Sequence, residues 1–558
     1  MKVLILDFYV DEPACFGVPP YISTYVRYLA GALAASIPEK NVHYLTIDQL
    51  RGQNFSLNED YAAVFIVMGS TVPGKYLGGK IGTIADLNRL FENPPWDDKT
   101  KVVVGGPVQF VNHELRENIN KHAFLVSGDI EPVAARFAQT SAIDSNILKI
   151  RFRKDYEQIN DWAVRGAFIT TLHPNFPDVI NEMETYRGCT RDIYCSFCTE
   201  AFYGRPVFRE TSRIAEEFSE LYRAGNSYFR LGRQADLLTY LPDMASFSHS
   251  FPRPVPANIL ELYTSIHRAA PGLKLLHLDN INPGVIHYFP NESAEVIRII
   301  SEYNTHMDTA AMGLESIDPV VVSQNQLKIN AEQALGVIRL MNEVSHKDEF
   351  GIPKLLPGLN FISGLSGETT DTFRLNYDFL KKVYDEGLLL RRINIRQVVP
   401  FKKTALERSG FSRSGKIENR FRYYRDKIRD EIDEPMLKRL YPQGYIIKNV
   451  IVESIQNEYY LGRALGSYPI TVKIIGLNKR LALYEKTDVV VMDYMSRSVL
   501  VLPTPIPVNK LNVTGYSLFR GISKKKASEV LLASPFSSEE QFLKYTDNSV
   551  KYDLDFSR

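Results

Sequence analysis

Residues 184–199 read Glu184-Thr185-Tyr186-Arg187-Gly188-Cys189-Thr190-Arg191-Asp192-Ile193-Tyr194-Cys195-Ser196-Phe197-Cys198-Thr199. Three of the chain's four cysteines lie within ten residues of this stretch. Thiolates at this density are soft ligands, suited to iron–sulfur clusters or to zinc. A [4Fe–4S] cluster takes four thiolates when fully ligated. Cys189, Cys195 and Cys198 would therefore leave one iron open to a substrate or cofactor. Zinc is the structural rival and needs a fourth Cys or His at motif spacing. No histidine lies between Pro174 and Ser248, and Cys15 belongs to another domain.

Working outward, 558 residues are enough for three or four domains. A chain with 44% hydrophobic and 23% charged residues is ordinary for a globular protein. The net charge of +1 supplies no global basic field, so any nucleic-acid site must be local. No apolar run approaches the ~20 residues that span a bilayer. The opening Met1-Lys2-Val3-Leu4-Ile5-Leu6-Asp7 turns acidic too soon for a signal peptide and reads as a buried strand. Few cysteines, mostly in one cluster, argue against a disulfide framework and for a reducing, cytoplasmic setting.

The fold class expected is α/β. Over residues 1–140, apolar runs at 2–7, 62–68, 101–104 and 122–126 alternate with helical spacing such as that of 21–35, which predicts a doubly wound parallel sheet. Three runs end in Gly69-Ser70-Thr71, Gly105-Gly106-Pro107 and Ser127-Gly128-Asp129. Ligands bind outside the carboxyl ends of such strands, and bare backbone there suits a phosphate or amide; the alternative is that these glycines only make tight turns. Over 180–405 the alternation resumes. Strand ends are expected at Tyr228–Gly232, Lys274–Leu278, Thr309–Glu315, Pro357–Gly364 and Arg392–Pro400, with one more strand before Cys189, making about six βα units of a partial (β/α)6 barrel. Residues 406–448 are charged and read as a helical linker. Short β-branched runs over 449–503 predict a small β-barrel, and 506–558 turn helical again.

The cysteine run resembles the cluster motif of radical S-adenosylmethionine enzymes. That family usually spaces its cysteines C-x3-C-x2-C; here the spacing is C-x5-C-x2-C, with the aromatic Phe197 kept before the last cysteine. Gly232-Arg233-Gln234 resembles the segment that holds the amino group of S-adenosylmethionine in that family. Gly313-Leu314-Glu315-Ser316 resembles its Gly-x-Glu-Ser segment. The stretch Asn360-Phe361-Ile362-Ser363-Gly364-Leu365-Ser366-Gly367-Glu368-Thr369 resembles its strand-five signature. The resemblance implies a [4Fe–4S] cluster on Cys189, Cys195 and Cys198. It implies S-adenosylmethionine bound by Phe197, Gly232, Arg233, Gln234, Glu315 and Asn360, and reductive cleavage to a 5′-deoxyadenosyl radical. It also implies an electron-donor protein of ferredoxin or flavodoxin type. No catalytic acid or base is identified.

The flanking regions carry resemblances of their own. Phe16-Gly17-Val18-Pro19-Pro20, Val104-Gly105-Gly106-Pro107 and Ser127-Gly128-Asp129 resemble loops of the cobalamin-binding domain that precedes many such enzymes. This implies cobalamin near Gly69, Ser70, Gly105, Gly106 and Gly128, held without an axial histidine since the first histidine is His43. A scaffold that has lost the cofactor remains the alternative. The barrel segment resembles a TRAM-type (OB-like) RNA-binding domain. The tail resembles a helix-hairpin-helix around Arg520-Gly521-Ile522-Ser523-Lys524-Lys525-Lys526, where Gly521, Lys524, Lys525 and Lys526 would meet phosphates. The function expected is radical modification, methylation foremost, of an RNA such as transfer RNA. The rivals are the same chemistry on a protein or small metabolite, and a nucleic-acid-binding protein with a structural or redox-sensing cluster. No membrane association is expected.

Overall fold

The computed structural model describes residues 1–10, 20–70, 75–76, 79–111, 113–143, 148, 152–409, 415–478, 480–547 and 549–557. Cys15, the 16–19 part of the Phe16–Pro20 motif and Thr71 lie outside the described residues. The chain divides into two compact units, Met1–Val383 with Arg392–Arg422 and Tyr384–Arg391 with Tyr423–Arg558.

In the first unit the apolar runs become β1 (Val3–Asp7), β3 (Ala63–Val67) and β4 (Lys101–Gly105), buried nearly throughout as strands covered on both faces must be. They are joined by β2 (Val42–Thr46) and β5 (Phe124–Leu125) in a parallel sheet of order β2-β1-β3-β4-β5. The strand order reverses between β1 and β3, the place where open α/β sheets receive ligands. The pattern of apolar runs misses β2, because an edge strand alternates buried and half-buried residues. The helix expected from residue 21 begins at Thr24 behind an N-capping Ser23. Tyr21–Ile22 instead adds a short parallel strand to Ile180–Asn181, so the front segment completes the edge of the next sheet.

The central region supplies β6 (Ile180–Met183), β7 (Tyr228–Leu231) and β8 (Leu275–Leu278), then β9 (Asp308–Glu315), β10 (Leu355–Ser363) and β11 (Arg392–Gln397). All pair in parallel, with helices such as Thr211–Arg223, Pro256–Ala269, Pro290–Tyr303, Ala331–Val344 and Thr370–Asp385 between them. The ladders form two sheets, β8-β7-β6 and β9-β10-β11, the second edged by Asn280–Ile281. Asp279 belongs to both: its N–H donates to Leu231 O at 3.2 Å and its carbonyl accepts from Ala311 N–H at 2.6 Å.

In the second unit, β12 (Ile446–Ile455), β13 (Tyr459–Arg463), β14 (Thr471–Ile475), β15 (Lys486–Met495) and β16 (Ser498–Pro503) close into a barrel of order β12-β13-β14-β16-β15. The tail helices Val513–Tyr516, Lys524–Ala533 and Glu539–Leu543 share one core with it, in which Val490, Met492 and Leu502 pack with Tyr516, Phe519, Val530 and Phe542. The charged stretch before the barrel is helical over Gly415–Ile428 and Glu434–Leu440.

Candidate functional site

The cysteines lie on the loop that follows β6, and all three are half-buried. Gly188 turns the chain into it with φ +94°, a region open to glycine. Burial, with Cys195 beside it, pushes the Cys189 thiol up to about 12, and burial with Glu200, Cys195 and Cys189 pushes Cys198 well above the usual thiol range. Thiols packed this closely favour the thiolate only beside strong positive charge, such as bound metal supplies, so the donor set fits a metal group. Among the described residues, no three His, Cys, Asp or Glu side chains are grouped to hold a single ion; in a cubane cluster each thiolate binds its own iron.

The loop is fixed by hydrogen bonds from residues remote in sequence. The Arg191 guanidinium donates to Cys195 Sγ at 3.1 Å, to Gln326 O at 3.2 Å and to Ser250 Oγ at 3.1 Å. Ser196 N–H donates to Asn325 O at 3.2 Å, and Leu406 N–H donates to Ser196 O at 2.9 Å. Phe197 packs on the small apolar cluster of Val321, Leu327, Leu365 and Leu406. The structure thus brings the cysteine loop against the 325–328 loop and the Ser363–Glu368 loop, whose own turn is closed by Glu368 accepting from Ser363 Oγ at 3.0 Å and Gly364 N–H at 2.9 Å.

At the ends of β9 to β11 stands a second polar group. Glu315 has φ +64° and follows a register shift in the β9–β10 ladder, a strained conformation of the kind found at functional sites. Its carboxylate and the Lys328 ammonium, 3.7 Å apart, occupy the space above Gly313, where an added Cβ would stand 2.1 Å from Glu315 Oε1 and 2.6 Å from Lys328 Nζ. Lys328 also donates to Gly313 O at 2.7 Å. Burial pushes Glu315 up, against the pull of Lys328 and Arg396. Glu315 Oε2 is buried with no hydrogen-bond partner among the described residues, as expected of an acceptor kept for a ligand. Beside it Asn360 and Asn394, paired in the β10–β11 register, share a bond of 3.1 Å. These residues fit a small polar cofactor with hydroxyl or amine donors. Asn325, Lys328, Asn394 and Arg396 escape the sequence reading because nothing local marks them; only Arg191, inside the cysteine run, had a signal.

The remaining S-adenosylmethionine candidates are placed differently. Gly232 and Arg233 both direct their N–H groups at Met183 O, and Gln234 is held between Leu231 O and Thr185. Arg233 is buried and donates to Tyr25 and Tyr203 at 2.9 and 3.2 Å. It belongs to a lattice of buried charge joining the front sheet to the cysteine loop. Arg153 pairs with Asp129, Glu131 and Glu184 at 2.9, 3.0 and 3.1 Å, and Arg187 pairs with Asp129 and Glu184 at 2.8 Å each. Burial alone would raise the Glu184 carboxyl, but Arg187, Arg153 and Arg233 outweigh it and hold the group at about 2. Arg209 carries the lattice on to Glu217, donating also to Glu184 O at 3.0 Å, and Glu217 pairs in turn with Arg27.

The front-sheet candidates line the edge that faces this lattice. Gly69 and Ser70 are buried after β3. Added carbons at Gly105 and Gly106 would stand 2.5 Å from Ile130 and 2.7 Å from Met68 O, so protein packing already accounts for those two glycines. Gln109 bridges Gly106 O and Gly128, accepting from Gly128 N–H at 2.7 Å. Phe110, next along, packs its ring on Phe202 and Tyr203 just beyond the cysteines. In the tail, Gly521 is exposed with φ +82°, and the backbone N of Asp547 would lie 2.9 Å from a Cβ added there. Lys526 donates to Gly521 O and Tyr545 O at 3.2 and 2.7 Å and is thereby engaged within the module, whereas Lys524 and Lys525 are exposed.

No family model matches the chain. Among solved structures, the radical S-adenosylmethionine methyltransferase TsrM from Kitasatospora setae superposes with a TM-score of 0.47 at 14% identity, over 73% of this chain and 75% of that one. The cobalamin-dependent S-adenosylmethionine radical enzyme OxsB gives 0.43 at 12% identity, over 76% of this chain and 56% of that one. Sequence likeness is far stronger elsewhere. An uncharacterized protein of Archaeoglobus fulgidus is 37% identical over 97% of each chain. The uncharacterized protein MJ0274 of Methanocaldococcus jannaschii is 40% identical over 89% of this chain and 92% of its own. The chain belongs to the family of these two archaeal proteins.

Proposed function

We propose that the protein is a radical S-adenosylmethionine enzyme. The observation that carries this reading is the convergence of the three-cysteine loop with Glu315, Lys328 and the loop after β10, including a buried carboxylate oxygen with nothing among the described residues to accept from. A structural or redox-sensing cluster needs no such neighbour. When bound, the cluster and S-adenosylmethionine would supply one-electron reductive cleavage of the sulfonium. Cys189, Cys195 and Cys198 would hold the cluster. Glu315 and Asn360 would orient the nucleoside half of the cofactor, with Lys328 holding Glu315 in place, and the apolar packing of Phe197 would keep water from the loop. The six parallel strands of the central region are read as one partial barrel bent at Asp279.

Cobalamin dependence and methyl transfer form the finer part of the proposal. Their support is the ion pairing of Asp129, after β5, with Arg187, and the tilted and edge-on packing of Phe110 against Phe202 and Tyr203 after Cys198; a ligand at this edge of the front sheet would lie beside the cluster. The proposed substrate is RNA, transfer RNA first, supported by the small barrel and the exposed Lys524 and Lys525; a protein or small metabolite is the alternative.

The test is anaerobic purification with iron and cobalamin supplied, followed by a metal count, an absorption spectrum and an assay for 5′-deoxyadenosine. About four irons per chain with cofactor cleavage, both lost in Cys195→Ala, are expected. Zinc in place of iron, or cleavage that survives Cys195→Ala, overturns the reading. Iron without cobalt removes the cobalamin part alone.

A further inference from the structure

Asn325 ends the short helix Pro319–Gln324 and is fully buried. Its amide is used completely. The Nδ2 group donates to Val321 O and to Ser366 O, each at 2.8 Å. The Oδ1 atom accepts from Ser196 Oγ at 2.7 Å and from Ser366 N–H at 3.3 Å. Its backbone carbonyl accepts from Ser196 N–H, and the next carbonyl, Gln326 O, accepts from the same Arg191 nitrogen that donates to Cys195 Sγ.

Ser196 stands immediately after Cys195 and two residues before Cys198, and Ser366 lies in the loop after β10. One side chain therefore spans the loop that carries the cysteines and the loop that follows Asn360. An amide is required, since two carbonyls need donors while a hydroxyl and an N–H need an acceptor. An aspartate could serve only the second pair, and would place a carboxylate against two carbonyl oxygens beside three thiols.

We propose that Asn325 is a positioning residue. It fixes Cys195 and Cys198 relative to the loop after β10, and so sets the distance between the cluster and the groups that orient S-adenosylmethionine. This rests on the radical S-adenosylmethionine reading above.

The test uses the anaerobically reconstituted full chain. Iron per chain and the electron paramagnetic resonance spectrum of the reduced cluster are measured with rising S-adenosylmethionine, for the parent protein and for Asn325→Ala, Asn325→Asp and Ser196→Ala. Both Asn325 variants are expected to keep their iron. The cofactor concentration that half-saturates the spectral change should rise about tenfold in them, the scale of a buried polar group left unpaired. Ser196→Ala, which removes one of the four bonds to the amide, should shift it less and in the same direction. A parent-like response in Asn325→Ala overturns the proposal. So does loss of iron from both Asn325 variants with a parent-like Ser196→Ala, which would make Asn325 a support of the fold alone. A parent protein with no spectral response to S-adenosylmethionine would instead sink the underlying enzyme reading, before any variant is compared.

Discussion

The two parallel sheets of the central region carry their polar residues in opposite ways. At the ends of β6 and β7, Glu184, Arg187, Arg233 and Gln234 are buried and engaged within the protein: Arg187 with Asp129 and Glu184, Arg233 with Tyr25, and Gln234 with Thr185 and Leu231 O. At the ends of β9 to β11, Asn360 and Asn394 are half-buried, Glu315 keeps an unanswered oxygen, and the backbone is strained. Buried charge is costly unless it is paired, and the ion pairs of the first sheet make it a mount, although Glu131 Oε2, Arg27 Nε and Arg209 Nη2 in that lattice also lack a hydrogen-bond partner among the described residues. The second sheet is left incomplete, and incompleteness is what a ligand can satisfy. The cysteine loop leaves the first sheet and is tied to the second.

The largest expected effect tests the loop between them. Cys195→Ala should abolish the cluster absorbance and cofactor cleavage together, read by absorption spectroscopy and product assay. The mount comes next: Arg187→Met removes one of the two arginines shared by the buried Asp129 and Glu184, leaving Arg153, and urea denaturation should show a loss of about 3–5 kcal/mol. Unchanged stability would dissolve the contrast between the sheets. On the receiving side, Gly313→Ala places a carbon where the Glu315 carboxylate and Lys328 ammonium now stand. Calorimetric titration should show S-adenosylmethionine binding weakened about tenfold with thermal stability nearly kept; the reverse pattern would make this group structural too.

A pH series sharpens the same contrast. The Glu184 carboxyl, ordinarily at 4.5, is held at about 2 by its arginines. A carboxyl with a lowered folded value contributes stability that is fully present above its unfolded value and is lost as pH falls. The metal-free protein should therefore lose thermal stability as pH drops from about 4.5 toward 2, and Glu184→Gln should flatten that limb. The smallest effect concerns the second unit: replacing Lys524 and Lys525 by Gln should lower the slope of RNA affinity against salt by about two, and an unchanged slope would remove the tail from the RNA proposal.

The parallel α/β architecture was legible in the sequence because strands buried on both faces are continuous apolar runs, as in Val3–Asp7 and Ala63–Val67. Edge strands were not: Val42–Thr46 alternates buried and half-buried residues, and the two buried residues Tyr21–Ile22 are too few to form a run. The candidate cysteines, Glu315 and Asn360 could be named from local motifs, and a small barrel could be expected from β-branched runs.

Tertiary structure alone decided what each motif residue touches. Arg233 lies in a motif associated with cofactor binding, yet its guanidinium is turned to Tyr25 and Tyr203. Lys526 looks like a phosphate ligand in sequence but donates to two backbone carbonyls. Asn325 and Lys328 carry no local signal at all. The physical reason is that hydrogen bonds and ion pairs of buried groups are set by whichever partners the fold brings within about 3 Å, and those partners lie 41 to 129 residues away for the amide of Asn325 bonded to Ser366 and Ser196. Apolar periodicity is written along the chain; the pairing of buried polar groups is written only across it.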